Sequence, residues 1–419
     1  MPRQHKIARS VTNAIVVPEA EAAQRSVAQT INALFTLYAI HLHQHEPALF
    51  ARLRDRWEID MQSYRASFTP NENDRQSSLQ SKGDMGYSGS TFFTTSDAKY
   101  LVKSVPRHFE HTFFRDDLLK PYVNYVSNNL SSLLIRITDF LAVNDAYKVS
   151  PGFLLGLAPS HHIIMENLLI GKEEGERRAK KLFSKHRTKR RGPLDEDVEP
   201  WKWGSWDLKP TSYFFPERDI AQGKLTSEAT KSALADKLND RLVLTESQAE
   251  TFITQLKRDT ELLASTNAVD YSLFLVRIPI PPSQRSPIGA NENPFSDDAV
   301  ETEQDDSTSA EVQSPPDAIP TPETPPFTPP SPPSWKTGVK SADGKYVYRA
   351  AILDFFWAKH KIHAKMMTHL VNFWNKVDMG GDNGPMSITT SSDEYRDRFI
   401  EMCQSYIETK GSGKEDDDE

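Results

Sequence analysis

The sequence is short of cysteine, of excess positive charge and of unbroken apolar runs. Cys403 is the single cysteine in 419 residues, which excludes an internal disulfide framework and a cysteine-rich zinc site and suits a reducing intracellular compartment. Against 58 acidic residues stand 50 lysines and arginines, a net charge of -8. Such a chain has no general affinity for nucleic acid or acidic membranes, so any such affinity must be local. No stretch approaches the ~20 apolar residues that a membrane-spanning helix needs. Hydrophobic residues make up 37% of the chain and mean hydropathy is -0.58. Those values fit a folded core carrying disordered insertions, in a length that holds one large domain or two ordinary ones. The first eighteen residues carry Arg3, Lys6 and Arg9 and no acid, faintly like a transit peptide, but show no clear amphipathic face.

What is present centres on residues 256–278, LKRDTELLASTNAVDYSLFLVRI. Phe252, Leu256 and Leu263 recur at helical spacing, and Ser265-Thr266-Asn267 supplies the turn chemistry that ends a helix. Leu273, Phe274, Leu275 and Val276 then form an apolar run closed by Pro279, which favours a buried strand. Asp270 stands at the mouth of that strand, a position suited to a general base or a metal ligand. A plain helix–strand turn is the alternative there. Residues 346–356 form a second apolar strand, with Asp354 near its end, expected to pair with residues 272–278. Two acids at comparable positions on neighbouring strands can divide phosphoryl transfer, one holding Mg2+ and the other accepting the hydroxyl proton.

Further upstream, residues 91–95 and 99–105 read as a hairpin around Ser96-Asp97. The preceding Gly86-Tyr87-Ser88-Gly89-Ser90 lets backbone N–H groups approach a phosphate. Lys103 on the returning strand can reach the same phosphates as a point charge; an edge or snorkelling lysine is the alternative. Glu110, Asp116 and Asp117 on the following helix, residues 110–126, are candidate partners for Lys103, with Glu110 preferred. Residues 133–137 and 153–157 read as strands. Residues 162–169, HIIMENLL, read as a strand running into a polar exit, either an adenine-binding hinge or an ordinary strand end. Asp207-Leu208-Lys209 places an acid and a base on one face of an extended segment, a usual way to position a phosphate and its counter-charge.

The remainder frames these parts. Residues 19–60 read as helical, 62–83 as a polar loop, and 224–237, 245–265 and 395–409 as helices. Residues 171–202 read as an inserted loop with a basic block at 177–191. That block can dock on anionic lipid, serve as a nuclear-localisation patch or be a solvated loop. Residues 279–335, rich in proline, serine and threonine, cannot bury enough apolar surface to fold. Their PxxP spacings suit an SH3- or WW-type partner or a simple linker. Lys359, Lys361 and Lys365 lie on a basic amphipathic segment that can rest against a membrane or form a surface helix.

The ordered set SGSTFF, LVKSV, IIMENLL, DLK, LKRDTELL…VDYSLFL, AILDFF and SSDEYRDRFIEMCQSYI resembles the catalytic core of the phosphatidylinositol phosphate kinases, most closely the phosphatidylinositol 4-phosphate 5-kinases. The resemblance covers roughly residues 80–408. It implies an α+β fold, related to SAICAR synthase and distantly to protein kinases, with antiparallel sheets flanked by helices in two lobes. The expected division is a helical extension at 1–79, a core at 80–278 and 336–408, a disordered insertion at 279–335 and a disordered acidic tail at 409–419.

The same resemblance implies ATP and Mg2+ and assigns roles. Ser88, Gly89, Ser90 and Lys103 would hold ATP phosphates, and Glu166, Asn167 and Leu168 the adenine. Asp354 would hold Mg2+, Asp270 would be the catalytic aspartate, and Asp207 and Lys209 would act near the transferred phosphate. Lys359, Lys361 and Lys365 fall in the segment that contacts the membrane and selects the lipid. Two departures stand out: DLKPT replaces the family's DLKGS, so Pro210 removes an N–H, and Arg277 follows Val276 where a glycine is usual. The implied function is transfer of the γ-phosphate of ATP to a phosphatidylinositol phosphate, at the 5-position of the 4-phosphate lipid. A weak or inactive kinase-like adaptor and a kinase of soluble inositol phosphates are the alternatives. The implied setting is cytoplasmic and peripheral on anionic membranes, with a nuclear pool left open by the basic block and no nucleic-acid partner.

Overall fold

Ile7, Ala8, Val11 and Ile15 line one side of helix α1 (Pro2–Val16), and all four are buried. Their stripe is the amphipathic face not read from the sequence of this segment. The computed structural model describes residues 2–17, 41–69, 78–83, 90–143, 158–187, 199–210, 238, 240–285, 333–358 and 390–410. After α1 come β1 (Leu42–Gln44), α2 (Pro47–Arg56), α3 (Met61–Phe68), β2 (Leu79–Gly83), β3 (Phe92–Thr95) and β4 (Tyr100–Ser104). Next are α4 (His108–Phe113), a π-helical turn (Phe114–Leu118), α5 (Leu119–Asn128), β5 (Ile137–Val143), β6 (His161–Glu166), α6 (Lys172–Arg187) and β7 (Gly204–Leu208). The chain goes on through β8 (Leu242–Leu244), α7 (Glu246–Ser265), β9 (Ala268–Val269), β10 (Ser272–Pro279), β11 (Val339–Lys340), β12 (Tyr346–Leu353), β13 (Trp357–Ala358), α8 (Ser392–Ser405) and β14 (Ile407–Thr409).

Two antiparallel sheets carry the fold. One has six strands in the order β1-β5-β6-β4-β3-β2, the other four in the order β11-β12-β10-β7. The expected hairpin is β3–β4, with Phe92 opposite Lys103. The expected pairing of the two acid-bearing strands is β10–β12, from Pro279 opposite Tyr346 to Ser272 opposite Leu353. Residues 133–135 bind the sheets together: Ile135 N donates to Ile352 O at 3.1 Å and Ile352 N to Leu133 O at 2.7 Å. Helix α7 begins at a capping box, in which Thr245 Oγ1 accepts from Gln248 N and Gln248 Oε1 accepts from Thr245 N. It buries Phe252, Leu256 and Leu263, the spacing read from the sequence.

Several local expectations are corrected. The loop expected over 62–83 is replaced, among its described residues, by α3 and β2: Asp60 caps α3 through Ser63 N at 2.7 Å, and Tyr64 and Phe68 are buried. Helical reading of 19–60 fails at β1, which pairs with β5. The basic stretch expected as a loop starts as helix α6, steadied by the i,i+4 pair Arg178–Glu174 and by Lys180 over the Trp201 ring at 5.4 Å. The strand expected from residue 133 begins at Ile137. The closing helix stops at Ser405, after which β14 runs parallel to β8. Expectations for residues 18–40, 84–89, 144–157, 188–198, 211–237, 286–332, 359–389 and 411–419 lie outside the described residues.

The six-stranded sheet buries charge as well as hydrocarbon. Arg54 Nη1 donates to Thr138 O at 2.6 Å and to Asp139 Oδ2 at 2.9 Å, with both side chains almost fully buried. Burial pushes the Asp139 carboxyl up to about 6, although Arg54 opposes the rise. Removing one partner of such a pair leaves an uncompensated buried charge. Arg54→Met is therefore expected to cost about 3–5 kcal/mol, read as a fall in urea midpoint at constant m value.

His162 is fully buried, and neither ring nitrogen has a partner among the described residues. Burial pushes its pKa from 6.5 down to about 3. Because the unfolded chain binds this proton more readily, His162 contributes stability that is present above about 6.5 and lost as pH falls toward 3. His162→Phe is expected to flatten the acid limb of melting temperature against pH, and an unchanged slope would refute that assignment.

Candidate functional site

The register of four short strands builds a corner. Ser272 pairs with Leu353, and beyond the bend Val269 pairs with Trp357. Asp270 and Tyr271 therefore lie across from Asp354, Phe355 and Phe356, where both chains leave the four-stranded sheet and pair again as β9–β13. The turn demands unusual backbone. Asp270 has φ of 65° and Asp354 a φ of 60°, the left-handed region that aspartate tolerates better than most residues. Phe356 N donates to Asp354 O at 2.9 Å, and Tyr395 Oη from α8 donates to Tyr271 O at 2.5 Å. Two acids are thus fixed at one corner by backbone pairing on either side.

Two lysines meet them. Lys103, buried on β4 between the Phe92 and Phe356 rings, donates from Nζ to Asp354 Oδ1. Lys209 follows β7 directly, and its Nζ lies 3.1 Å from Asp270 Oδ1 and 2.7 Å from Asp270 O. Asp207, opposite Phe274 on β10, completes the group; its Oδ1 is buried without a hydrogen-bond partner among the described residues.

The charges bias one another. Burial raises the Asp207 carboxyl, with Lys209 opposing and the Asp354 charge adding to the rise. Burial also works against ionisation of Asp354, but the Lys103 ammonium and its hydrogen bond outweigh it and hold that carboxyl below the usual range. Desolvation works against the Lys209 ammonium, but Asp270, Asp207 and Asp354 together hold its pKa above the ordinary value. Three carboxylates and two ammonium groups therefore share one field.

The remaining sequence candidates divide. Ser90 is buried beside the hairpin, and Thr91 N donates to Ser104 Oγ at 2.8 Å. Ser88, Gly89, Lys359, Lys361 and Lys365 lie outside the described residues. Glu110 is not at Lys103: it pairs with Arg107 at 3.4 Å, and Asp354 takes the lysine. At the end of β6 the Glu166 carboxylate turns to Lys336 Nζ at 3.2 Å and to Arg136 N at 3.3 Å. Asn167 donates through Nδ2 to Ala98 O and through its backbone N to Lys99 O. Leu168 is buried, and its carbonyl accepts from Arg349 Nη1 at 3.0 Å.

Arg349 and Lys336 were not singled out from the sequence. The signal available was an arginine in the middle of an apolar strand. Among the described residues no group of three or more histidine, cysteine or acidic side chains gathers to hold a metal. Asp354 and the unpartnered Asp207 oxygen nevertheless fit Mg2+, which needs only one or two carboxylates when phosphate oxygens and waters fill its shell.

Comparison with known proteins bears on this geometry. The model of the family described as phosphatidylinositol-4-phosphate 5-kinase matches residues 73–406. A probable phosphatidylinositol phosphate kinase of Dictyostelium discoideum is 27% identical over 229 residues, 55% of this chain and 26% of that protein. Phosphatidylinositol 4-phosphate 5-kinase 3 of Arabidopsis thaliana is 28% identical over 229 residues, again 55% and 26%. Phosphatidylinositol 4-phosphate 5-kinase its3 of Schizosaccharomyces pombe is 24% identical over 238 residues, 57% and 26%. The matches span about a quarter of the length of these relatives.

The Lys103–Asp354 contact has a titration consequence. The Asp354 carboxyl, held below its ordinary 3.8, contributes stability that is present above that value and lost as pH falls through its folded pKa. Lys103→Met is expected to move the Asp354 carboxyl resonance, followed by carbon-13 NMR, to a higher midpoint and to remove this acid-range contribution. A midpoint unmoved by the substitution would show that the lysine does not set it.

Proposed function

We propose that this chain, which belongs to the phosphatidylinositol-4-phosphate 5-kinase family, transfers the γ-phosphate of ATP to the inositol ring of a phosphatidylinositol phosphate, at the 5-position of phosphatidylinositol 4-phosphate. The observation that carries this reading is the meeting of Lys103 with Asp354 and of Lys209 with Asp270 at one strand corner. Phosphoryl transfer needs positive charge over the phosphates, a carboxylate for metal and a second for the attacking hydroxyl. Those are the groups at this corner.

Each residue has a distinct part. Lys103 holds the ATP phosphates, and its exchange from Asp354 to phosphate frees that carboxylate. Asp354 and Asp207 would hold Mg2+, which would supply positive charge to screen the phosphate oxygens. Asp270 accepts the proton of the inositol hydroxyl as that oxygen bonds to the γ-phosphorus, while the bond from phosphorus to the bridging oxygen breaks and ADP leaves. Lys209, held by the Asp270 carboxylate and carbonyl, lies beside the transferring group and offsets its charge. Ser88, Gly89 and Ser90 contribute the phosphate loop. The adenine lies against residues 166–168, with Leu168 supplying backbone contact and Glu166 and Asn167 bracing it.

The six-stranded and four-stranded sheets correspond on this reading to two lobes of a SAICAR synthase-like, distantly kinase-like fold. The core is read at residues 80–278 and 336–408, and it extends past those bounds to β1 and the start of β2 in the six-stranded sheet and to the buried Ile280 and Trp335. The basic block at 177–191 and Lys359, Lys361 and Lys365 support a peripheral reading on anionic membrane, from the cytoplasmic side. The proline-rich span 279–335 offers PxxP spacings to SH3- or WW-type modules.

The test is turnover of Mg·ATP on vesicles carrying phosphatidylinositol 4-phosphate, with product position read by head-group analysis. Asp270→Asn and Asp354→Asn are each expected to lower kcat by about 10²–10⁴ while the protein stays folded by circular dichroism. Lipid binding with no turnover on any phosphoinositide and no Mg·ATP-dependent thermal shift would instead favour a kinase-like adaptor. Turnover confined to soluble inositol phosphates would overturn the lipid substrate alone.

A further inference from the structure

The segment leaving β6 is held by two cations that come from the far end of the sequence. Arg349, in the middle of β12, is buried, with Nη1 3.0 Å from both Leu168 O and Ile170 O and Nε 3.1 Å from Thr337 O. Its guanidinium also lies over the Trp203 ring at 5.4 Å. Arg349 makes no carboxylate contact in these bonds; it spends a charge in the interior on peptide carbonyls of the segment at 168–170. Lys336, equally buried, donates from Nζ to Leu134 O at 2.7 Å and meets Glu166 at 3.2 Å. Its own backbone position is fixed by Ala350 N, which donates to Trp335 O at 2.7 Å.

These ties converge on β12, directly or through the turn at residues 334–338. Ile352 brackets residues 133–135, Arg349 grips 168–170, and Ala350 anchors the turn that presents Lys336 to Glu166. Asp354 follows the last residue of that strand, five residues beyond Arg349, a distance of roughly 17 Å at the rise of an extended chain. We propose that Arg349 is a positioning residue that fixes the nucleotide-base seat at residues 166–170 at a set distance from Asp354, and so governs the affinity for ATP and the choice of base. The inference rests on the kinase reading above.

The chemistry favours an arginine here. A planar guanidinium offers several N–H groups in a fixed fork and stacks on an aromatic face, so it satisfies three carbonyls and Trp203 together. A lysine offers a point charge that follows only part of that geometry. Burial lowers the Arg349 pKa to about 10, with Glu166 opposing the fall, which leaves it cationic at neutral pH. Hydrogen bonds from a charged donor to a peptide carbonyl are among the stronger ones in proteins, so the segment has little freedom while Arg349 is present.

Steady-state kinetics of the full chain on phosphatidylcholine vesicles carrying phosphatidylinositol 4-phosphate, with Mg·ATP and Mg·GTP, test this. Arg349→Met is expected to raise KM for ATP about tenfold and to lower the preference for ATP over GTP. KM for the lipid and kcat should change by less than about threefold. Arg349→Lys should fall between wild type and Arg349→Met, and it carries the test if the methionine variant does not fold. A loss of kcat with both KM values and base preference unmoved would mean that Arg349 only maintains folded protein, and would overturn the inference. A variant indistinguishable from an active wild type would overturn it as well. Wild-type protein without turnover or Mg·ATP thermal shift would sink the kinase reading itself, and the positioning role with it.

Discussion

Eight successive residue pairs hold β10 to β12, from Pro279 opposite Tyr346 to Ser272 opposite Leu353. Because side chains alternate faces along a strand and both faces of this pair are packed, a slip of one residue would exchange every side chain of one partner between two differently shaped interiors. Leu273, Leu275, Val276, Val347, Ala350 and Ile352 are all buried, so that slip is strongly disfavoured. The same constraint fixes Asp270 and Asp354 across one corner. Core packing and site geometry are therefore a single fact about register. Two left-handed aspartates are tolerated there because β9–β13 resumes the pairing immediately beyond them, which over-determines the bend.

Charge balance follows from that placement. Asp207, Asp270 and Asp354 would repel one another in a partly buried corner, and the two lysines offset them from different elements. Lys103 arrives on the six-stranded sheet and Lys209 on the four-stranded one. Each sheet thus brings a cation to an acid of the corner, and the site exists only where the sheets meet. In the buried pairs Arg54–Asp139 and Lys336–Glu166, interior charge is likewise met by an opposite charge together with backbone carbonyls or amides.

The corner was legible because its signals are local. An apolar β-rich run closed by proline, preceded by aspartate, and a second such run with aspartate near its end are visible in windows of ten residues. Helix α7 was equally plain from Phe252, Leu256 and Leu263. The partner of Lys103 was not legible, since Asp354 lies 251 residues away and nothing in composition favours it over the nearby Glu110. The inward turn of Glu166 depends in the same way on Lys336. Helix α6 was hidden by its basic run and by Gly175, while the i,i+4 match of Glu174 with Arg178 spoke for a helix. The amphipathic stripe of α1 was missed because Ile7, Ala8, Val11 and Ile15 are few and dispersed among polar residues.

The two departures from the family pattern can now be judged by where they sit. Arg277 takes the place of a glycine on β10, and its guanidinium lies between the Trp206 ring at 5.0 Å and the Tyr346 ring at 4.7 Å, with Asp240 as its ionic partner. Trp206 in turn lies against Gly204, where any Cβ would meet the indole at 2.1 Å. The bulk gained at 277 is thus accommodated by two rings and by the glycine at 204, and none of these contacts involves the acids of the corner. Pro210 stands closer, next to Lys209. Proline removes one N–H, but it also biases the residue before it away from helical backbone toward extended forms. Lys209 is that residue, and its Nζ reaches both oxygens of Asp270 that face it. A substitution that costs one backbone donor therefore narrows the freedom of the lysine that the corner most needs held, which is why DLKPT is compatible with a formed site.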